Sequence, residues 1–203
     1  GISVIRSWTE LKNNGEEDLG VEYVSSFALL GIDKEGLLST DEKLEVLIAR
    51  NAWQKELIWN RFSMDQLGMS ISQPDKVRRS SQTISVGNTG NWSTKNYLPM
   101  GCLKNKETDS ILFWQIEQNG SWYWEISDQD GHMYLQLSGP TEHQSHWWKN
   151  LKPGDTFASV PVSVGSACGD VEEAAGELTK YRRAIRRKNE DNRETSGNLL
   201  TTI

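Results

Sequence analysis

ILFWQIEQNGSWYWEISDQDGHMYLQLSG, residues 111–139, reads with a period of two as three strands joined by two tight turns. Leu112, Trp114 and Ile116 alternate with Ile111, Phe113 and Gln115; Trp122, Trp124 and Ile126 alternate with Tyr123, Glu125 and Ser127; Met133, Leu135 and Leu137 alternate with Tyr134, Gln136 and Ser138. Successive side chains of a strand point to opposite faces, so each run has one mostly apolar face. A three-residue loop, Gln118-Asn119-Gly120, pairs Ile116 with Trp122 and Trp114 with Trp124 and keeps both apolar sets together. Gly120 then takes the left-handed position. The second turn, Asp128-Gln129-Asp130-Gly131, pairs Ile126 with Met133 and Trp124 with Leu135. The expectation is a meander whose aromatic face packs on a second sheet.

The 203 residues suffice for one domain with a real core. Nine tryptophans point to a heavy aromatic core, an interface or a sugar-stacking surface. A net charge of −6 argues against nucleic acid as the main partner. No run approaches the roughly 18 apolar residues of a membrane helix, so no membrane partner is expected. Cys102 and Cys168 are too few and too far apart for a disulfide framework or a metal site. Asn91-Trp92-Ser93 and Asn119-Gly120-Ser121 fit the glycosylation acceptor pattern, which makes Asn91 and Asn119 candidates and tilts an otherwise open compartment toward secretion.

Around the central stretch, residues 1–20 are polar and acidic with a turn at Asn13-Asn14-Gly15. Residues 21–32 read as a strand ended by Gly31, and 43–50 as another. The segment 52–67 is ambiguous, with Trp53, Leu57 and Phe62 nearly at helical spacing. Residues 70–84 read as an exposed loop, 84–103 as short strands broken at residues 87–91, and 156–165 as one more strand. A helix follows, with Asp170 as its cap and Glu173 completing the capping box. Acidic residues lead it and basic residues close it, as the helix dipole prefers. The expected organisation is a sandwich over 1–168, a linker helix over 169–188 and a disordered tail over 189–203. The fold class is mainly β: an antiparallel β-sandwich with one C-terminal α-helix.

No local pattern assembles a catalytic site, a metal site or a cofactor site. Glu117 and Glu125 lie on the meander, on the face away from Trp124, and read as solvated strand carboxylates. His143 and His146 stand near Glu142, but no further ligand completes a metal set nearby. There is no Gly-x-Ser-x-Gly elbow. Trp147 and Trp148, with Trp92 and Trp122, are the candidates for stacking on sugar rings or for an interface.

Six stretches in order carry a resemblance: EYVSSFAL (22–29), NTGNWSTK (88–95), LFWQIE (112–117), LSGPT (137–141), WKNLKPG (148–154) and LTKYRRAIRR (178–187). Together they resemble the microbial, especially fungal, α-galactosidases of glycoside hydrolase family 36, over about residues 5–192. The resemblance implies the later part of an N-terminal β-supersandwich domain, with the closing helix leading into a catalytic (β/α)8 barrel. In that family the full enzyme removes terminal α-linked galactose with retention, using two aspartates on the barrel, and is often tetrameric. No segment here matches those aspartate motifs, so no catalytic residue is carried over, and both the barrel and the first part of the sandwich are expected to lie outside this chain. The resemblance thus implies a non-catalytic portion of an α-galactosidase, inactive alone, partnered by the barrel, by α-galactosides in the full enzyme and by a second copy. A stand-alone carbohydrate-binding module is the alternative, with Trp147 and Trp148 as its platform.

Overall fold

The computed structural model describes residues 1–69, 82–129 and 131–186. The expected exposed loop over 70–84 and the tail from 189 onward fall largely or wholly outside them. Three short strands open the chain: β1 (Val4–Ser7), β2 (Glu10–Lys12) and β3 (Leu19–Val21). Next come β4 (Ser25–Leu30), the single turn α1 (Thr40–Lys43) and the hairpin of β5 (Leu44–Ala52) and β6 (Lys55–Ser63). The centre holds β7 (Thr83–Asn88), β8 (Tyr97–Asn105), β9 (Ser110–Ile116), β10 (Trp122–Gln129) and β11 (His132–Ser138). The short α2 (Glu142–Ser145), β12 (Lys149–Leu151), β13 (Thr156–Ala158), β14 (Val162–Cys168) and the long helix α3 (Val171–Ile185) complete the order.

Two antiparallel sheets face each other. One has six strands in the order β1-β14-β9-β8-β5-β6, the other four in the order β4-β11-β10-β7. Leu44, Val46, Leu103, Trp114 and Ile116 of the first pack against Val86, Trp124, Ile126, Leu135 and Leu137 of the second. The antiparallel sandwich with one long C-terminal helix is as the alternation predicts. Two small ribbons, β12-β3 and β13-β2, flank it. Residues 1–20, read from sequence only as a polar stretch with a turn, thus supply three strands. Asn13 holds that turn from a buried position, its Nδ2 donating to the carbonyls of Glu17 at 2.7 Å and Leu151 at 2.9 Å.

The central stretch is not one meander. β9 pairs with β8 and β14 in the six-stranded sheet, whereas β10 pairs with β7 and β11 in the four-stranded one. Residues 117–121 therefore cross between sheets, and Gly120 does not take a positive φ. Trp114 and Trp124 do meet, but edge to face and from opposite sheets of the sandwich, with ring centroids 5.1 Å apart at an interplanar angle of 76°. The physical reason is burial. Side by side, two strands so rich in tryptophan would both need cover from elsewhere; in opposite sheets each covers the other.

The β10–β11 hairpin forms, two residues out of the expected register: Ile126 faces Leu135, Trp124 faces Leu137, and Gln129 faces His132. An even slip keeps every side chain on its expected face. It extends the pairing to Gln129 and His132, with Gly131 at φ +80°, in the left-handed region that favours glycine. The segment 52–67 is strand β6 and a turn of 3-10 helix (Asp65–Leu67), not a helix. As an edge strand β6 is exposed or half-exposed throughout, so its alternation is blurred. The strand expected over 156–165 is two, β13 and β14, broken where Pro161 has no N–H to give a ladder.

Helix α3 is capped as predicted, Asp170 and Glu173 forming a reciprocal capping box. Its Ala174 and Leu178 cover Leu47, Cys102, Ile111 and Phe113 on the outer face of the six-stranded sheet. That face explains why β5 and β9 are apolar on both sides.

Gly101 on β8 pairs with Trp114, and a Cβ there would lie 2.5 Å from Trp114 Cζ2. Gly101→Ala should therefore destabilise the chain by roughly 1–3 kcal/mol through overpacking. A lower denaturant midpoint with an unchanged slope would be the signature.

Candidate functional site

Because Trp124 and Ile126 point into the core, their neighbours Tyr123 and Glu125 on β10 must point outward; Leu135 and Leu137 do the same for Tyr134 and Gln136 on β11. The outer face of the four-stranded sheet thereby gains a polar cluster with fixed geometry. The Tyr123 hydroxyl donates to Glu125 Oε2 at 2.5 Å, and the Tyr134 hydroxyl donates to Oε1 at 2.9 Å. Gln136 Nε2 donates to the hydroxyl of Tyr23, from the segment before β4.

One turn of helix walls the cluster. Thr141 caps α2 by accepting from Gln144 N at 3.0 Å, and Glu142 N donates to the Glu22 carbonyl at 2.8 Å. Between α2 and the sheet lies a cavity of about 340 Å³ bordered by Tyr23, Tyr123, Glu125, Gln136 and Glu142. A second cavity of about 310 Å³ adjoins it, sharing Tyr123 and Gln144 and reaching Asn88, Lys95 and Asn96. The first lies within the usual size range of small-ligand sites, of the order of 300–1,000 Å³.

Burial, then the charge of Glu125, pushes the Tyr23 phenol up to about 12. Burial, then the hydrogen bond to Glu125, also raises the Tyr123 and Tyr134 phenols. All three are neutral hydrogen-bonding groups near neutral pH. This cluster was not singled out from the sequence, although the alternation already placed Tyr123, Glu125, Tyr134 and Gln136 on one face.

The tryptophans named from the sequence separate. Trp122 is only 1% exposed; it sits in the core with its Nε1 donating to the Ser93 carbonyl at 2.7 Å, so its ring is not an open stacking platform. Its strand crosses to the opposite sheet and turns that side chain inward. Trp92 and Trp148 are well exposed. Trp147 is half-buried, its ring 5.4 Å from that of Phe157. Asn91 and Asn119 are both exposed.

The two strand carboxylates, Glu117 and Glu125, are hydrogen-bonding hubs, and neither is simply solvated as expected. Glu117 accepts from Arg6 at 2.9 and 2.7 Å through one oxygen and from the Tyr181 hydroxyl at 2.6 Å through the other. Glu125 is taken up by two tyrosines, as described. His146 Nδ1 is 3.9 Å from Glu142 on an open surface. Among the described residues no three His, Cys, Asp or Glu side chains gather as metal ligands.

No family model matches the chain, and no curated protein matches it. Solved structures do. The galactosidase domain of the α-galactosidase–sucrose kinase AgaSK is 18% identical with a TM-score of 0.66, over 86% of this chain and 21% of that one. A variant of the GH36 α-galactosidase AgaA from Geobacillus stearothermophilus, in complex with stachyose, is 15% identical with a TM-score of 0.73, over 95% and 24%. The α-galactosidase from Lactobacillus brevis is 14% identical with a TM-score of 0.68, over 89% and 21%. The likeness is one of fold, and this chain spans less than a quarter of the length of each.

The tyrosine cluster sets an alkaline limit on stability. The folded chain holds the Tyr23 proton more tightly than the unfolded chain, whose phenols titrate near 10. The resulting stabilisation is present below about pH 10 and lost as pH rises toward about 12. Tyr23→Phe should flatten that decline, and Glu125→Gln should bring the rise in tyrosinate absorbance to lower pH; alkaline unfolding curves and ultraviolet titration check each.

Proposed function

We propose that this chain is a non-catalytic sandwich portion of a family-36 α-galactosidase, serving an enzyme that hydrolyses terminal α-galactosyl residues. The observation that carries the reading is the fold likeness to several such enzymes, over nearly the whole of this chain and about a fifth to a quarter of theirs. The six ordered sequence stretches point the same way. So does the chemistry of Glu117, whose two oxygens are already committed to arginine and tyrosine.

In this reading the region over 1–168 is the N-terminal sandwich and α3 is the link toward a (β/α)8 barrel. The helix is held at both ends, which suits it to transmit position from one domain to another. Arg61 on β6 donates twice to the Asp170 carboxylate at 2.8 Å, and near the other end Tyr181 and Arg182 bond Glu117 and Gln115. Trp92, Trp147 and Trp148 are contact surfaces for the barrel, its active-site rim or a second copy, and Asn91 and Asn119 are sites where a glycan is sterically tolerated. The fungal flavour of the resemblance belongs to the same proposal.

The test is hydrolysis of a nitrophenyl α-galactoside by the purified chain, with circular dichroism to establish that it is folded. A folded chain that releases no nitrophenol is the expected result. Turnover that persists through repurification and is lost in Glu125→Gln or Glu117→Gln would overturn the proposal.

A further inference from the structure

The cleft over Tyr123 and Glu125 has a donor and acceptor pattern that selects its ligand. Glu22, Glu125 and Glu142 border it together with His143, and among the described residues no lysine or arginine does, which disfavours anions. The adjoining cavity carries Lys95, which opposes a cation long enough to fill both. An apolar ligand would leave the amides of Gln136 and Gln144 and the glutamate oxygens without partners.

A neutral polyol meets each of these conditions. Each Glu125 oxygen accepts from a single tyrosine, so the carboxylate is oriented yet keeps a lone pair on each oxygen for a ligand hydroxyl. Gln136 spends one N–H on Tyr23 and keeps its other N–H and its carbonyl. Every sugar hydroxyl both donates and accepts, which suits such a mixed lining. Tyr23 is 42% exposed and supplies an aromatic surface for the C–H groups of a ring. The shared wall of Tyr123 and Gln144 joins the two cavities into one track along the sheet.

We propose that this cleft binds a neutral sugar, with a short oligosaccharide lying along both cavities. The site is independent of whether the chain serves an α-galactosidase, and it is distinct from the tryptophan surface at Trp148. Titration of the full chain, isotopically labelled at tyrosine, with D-galactose, D-glucose and raffinose into the tens of millimolar tests it by NMR. Saturable shifts at Tyr23 and Tyr123 are expected with at least one of the three. Tyr23→Ala should weaken that binding about tenfold, and the shape-conserving Glu125→Gln should weaken it as well, whereas Trp148→Ala should leave it unchanged. Three outcomes overturn the proposal: no saturable shift with any sugar, shifts with spermidine in place of the sugars, or binding that survives Tyr23→Ala and Glu125→Gln in chains that remain folded. Absence of α-galactoside hydrolysis bears on the enzyme reading alone, so the two can fail separately.

Discussion

The edge-on contact of Trp114 and Trp124 is where the two sheets meet, and the rest of the architecture accommodates it. Such a pair contributes about 0.5–1.5 kcal/mol beyond the area it buries. Both rings are fully buried, and neither Nε1 makes a hydrogen bond. A stranded buried donor costs on the order of 1–3 kcal/mol. The arrangement therefore survives on packing: large apolar area removed from water, with Gly101 leaving room for the Trp114 ring. Because the two tryptophans belong to strands that are neighbours in sequence, the chain between them must change sheets.

The two glutamates next to this core show how one residue type does different work in different settings. Glu117 lies just past the end of β9 and gathers Arg6 from β1 and Tyr181 from α3, tying the chain's first strand and its long helix to the end of that interior strand. Only the arginine contact is an ion pair, and its guanidinium is 44% exposed, so solvent screens it. Glu125 stands mid-strand on an open face and gathers only neutral phenols. Its charge has no ionic partner among its hydrogen bonds, which leaves it able to serve a ligand.

Alternation in the sequence was enough to say which side chains share a face, and here it was right for β5, β9, β10 and β11. It could not say which strand lies beside which. Trp114 opposite Trp124 satisfies the same pattern whether the strands pair in one sheet or pack from two, and only the burial demanded by nine tryptophans favours the second. The β10–β11 register slipped by two because an even shift costs the pattern nothing. β6 was obscured by being an edge strand. Trp122 is on the apolar face by alternation and a stacking candidate by residue type, and only the packing between the sheets decides for the core. The capping box at Asp170 was legible because it is wholly local, set by residues three apart. The tyrosine cluster lay in plain view on the outer face, but its convergence on one carboxylate depends on β4, β10 and β11 being neighbours and on α2 folding over them.

Cys102 lies beneath α3, 2% exposed, with burial pushing its thiol up to about 12, while Cys168 stands at the surface. A thiol so placed reacts only when the helix lifts from the sheet. The chain thus carries its own clock for that motion. The surface cysteine labels at once, and the lag before the second label counts how often α3 leaves the sheet.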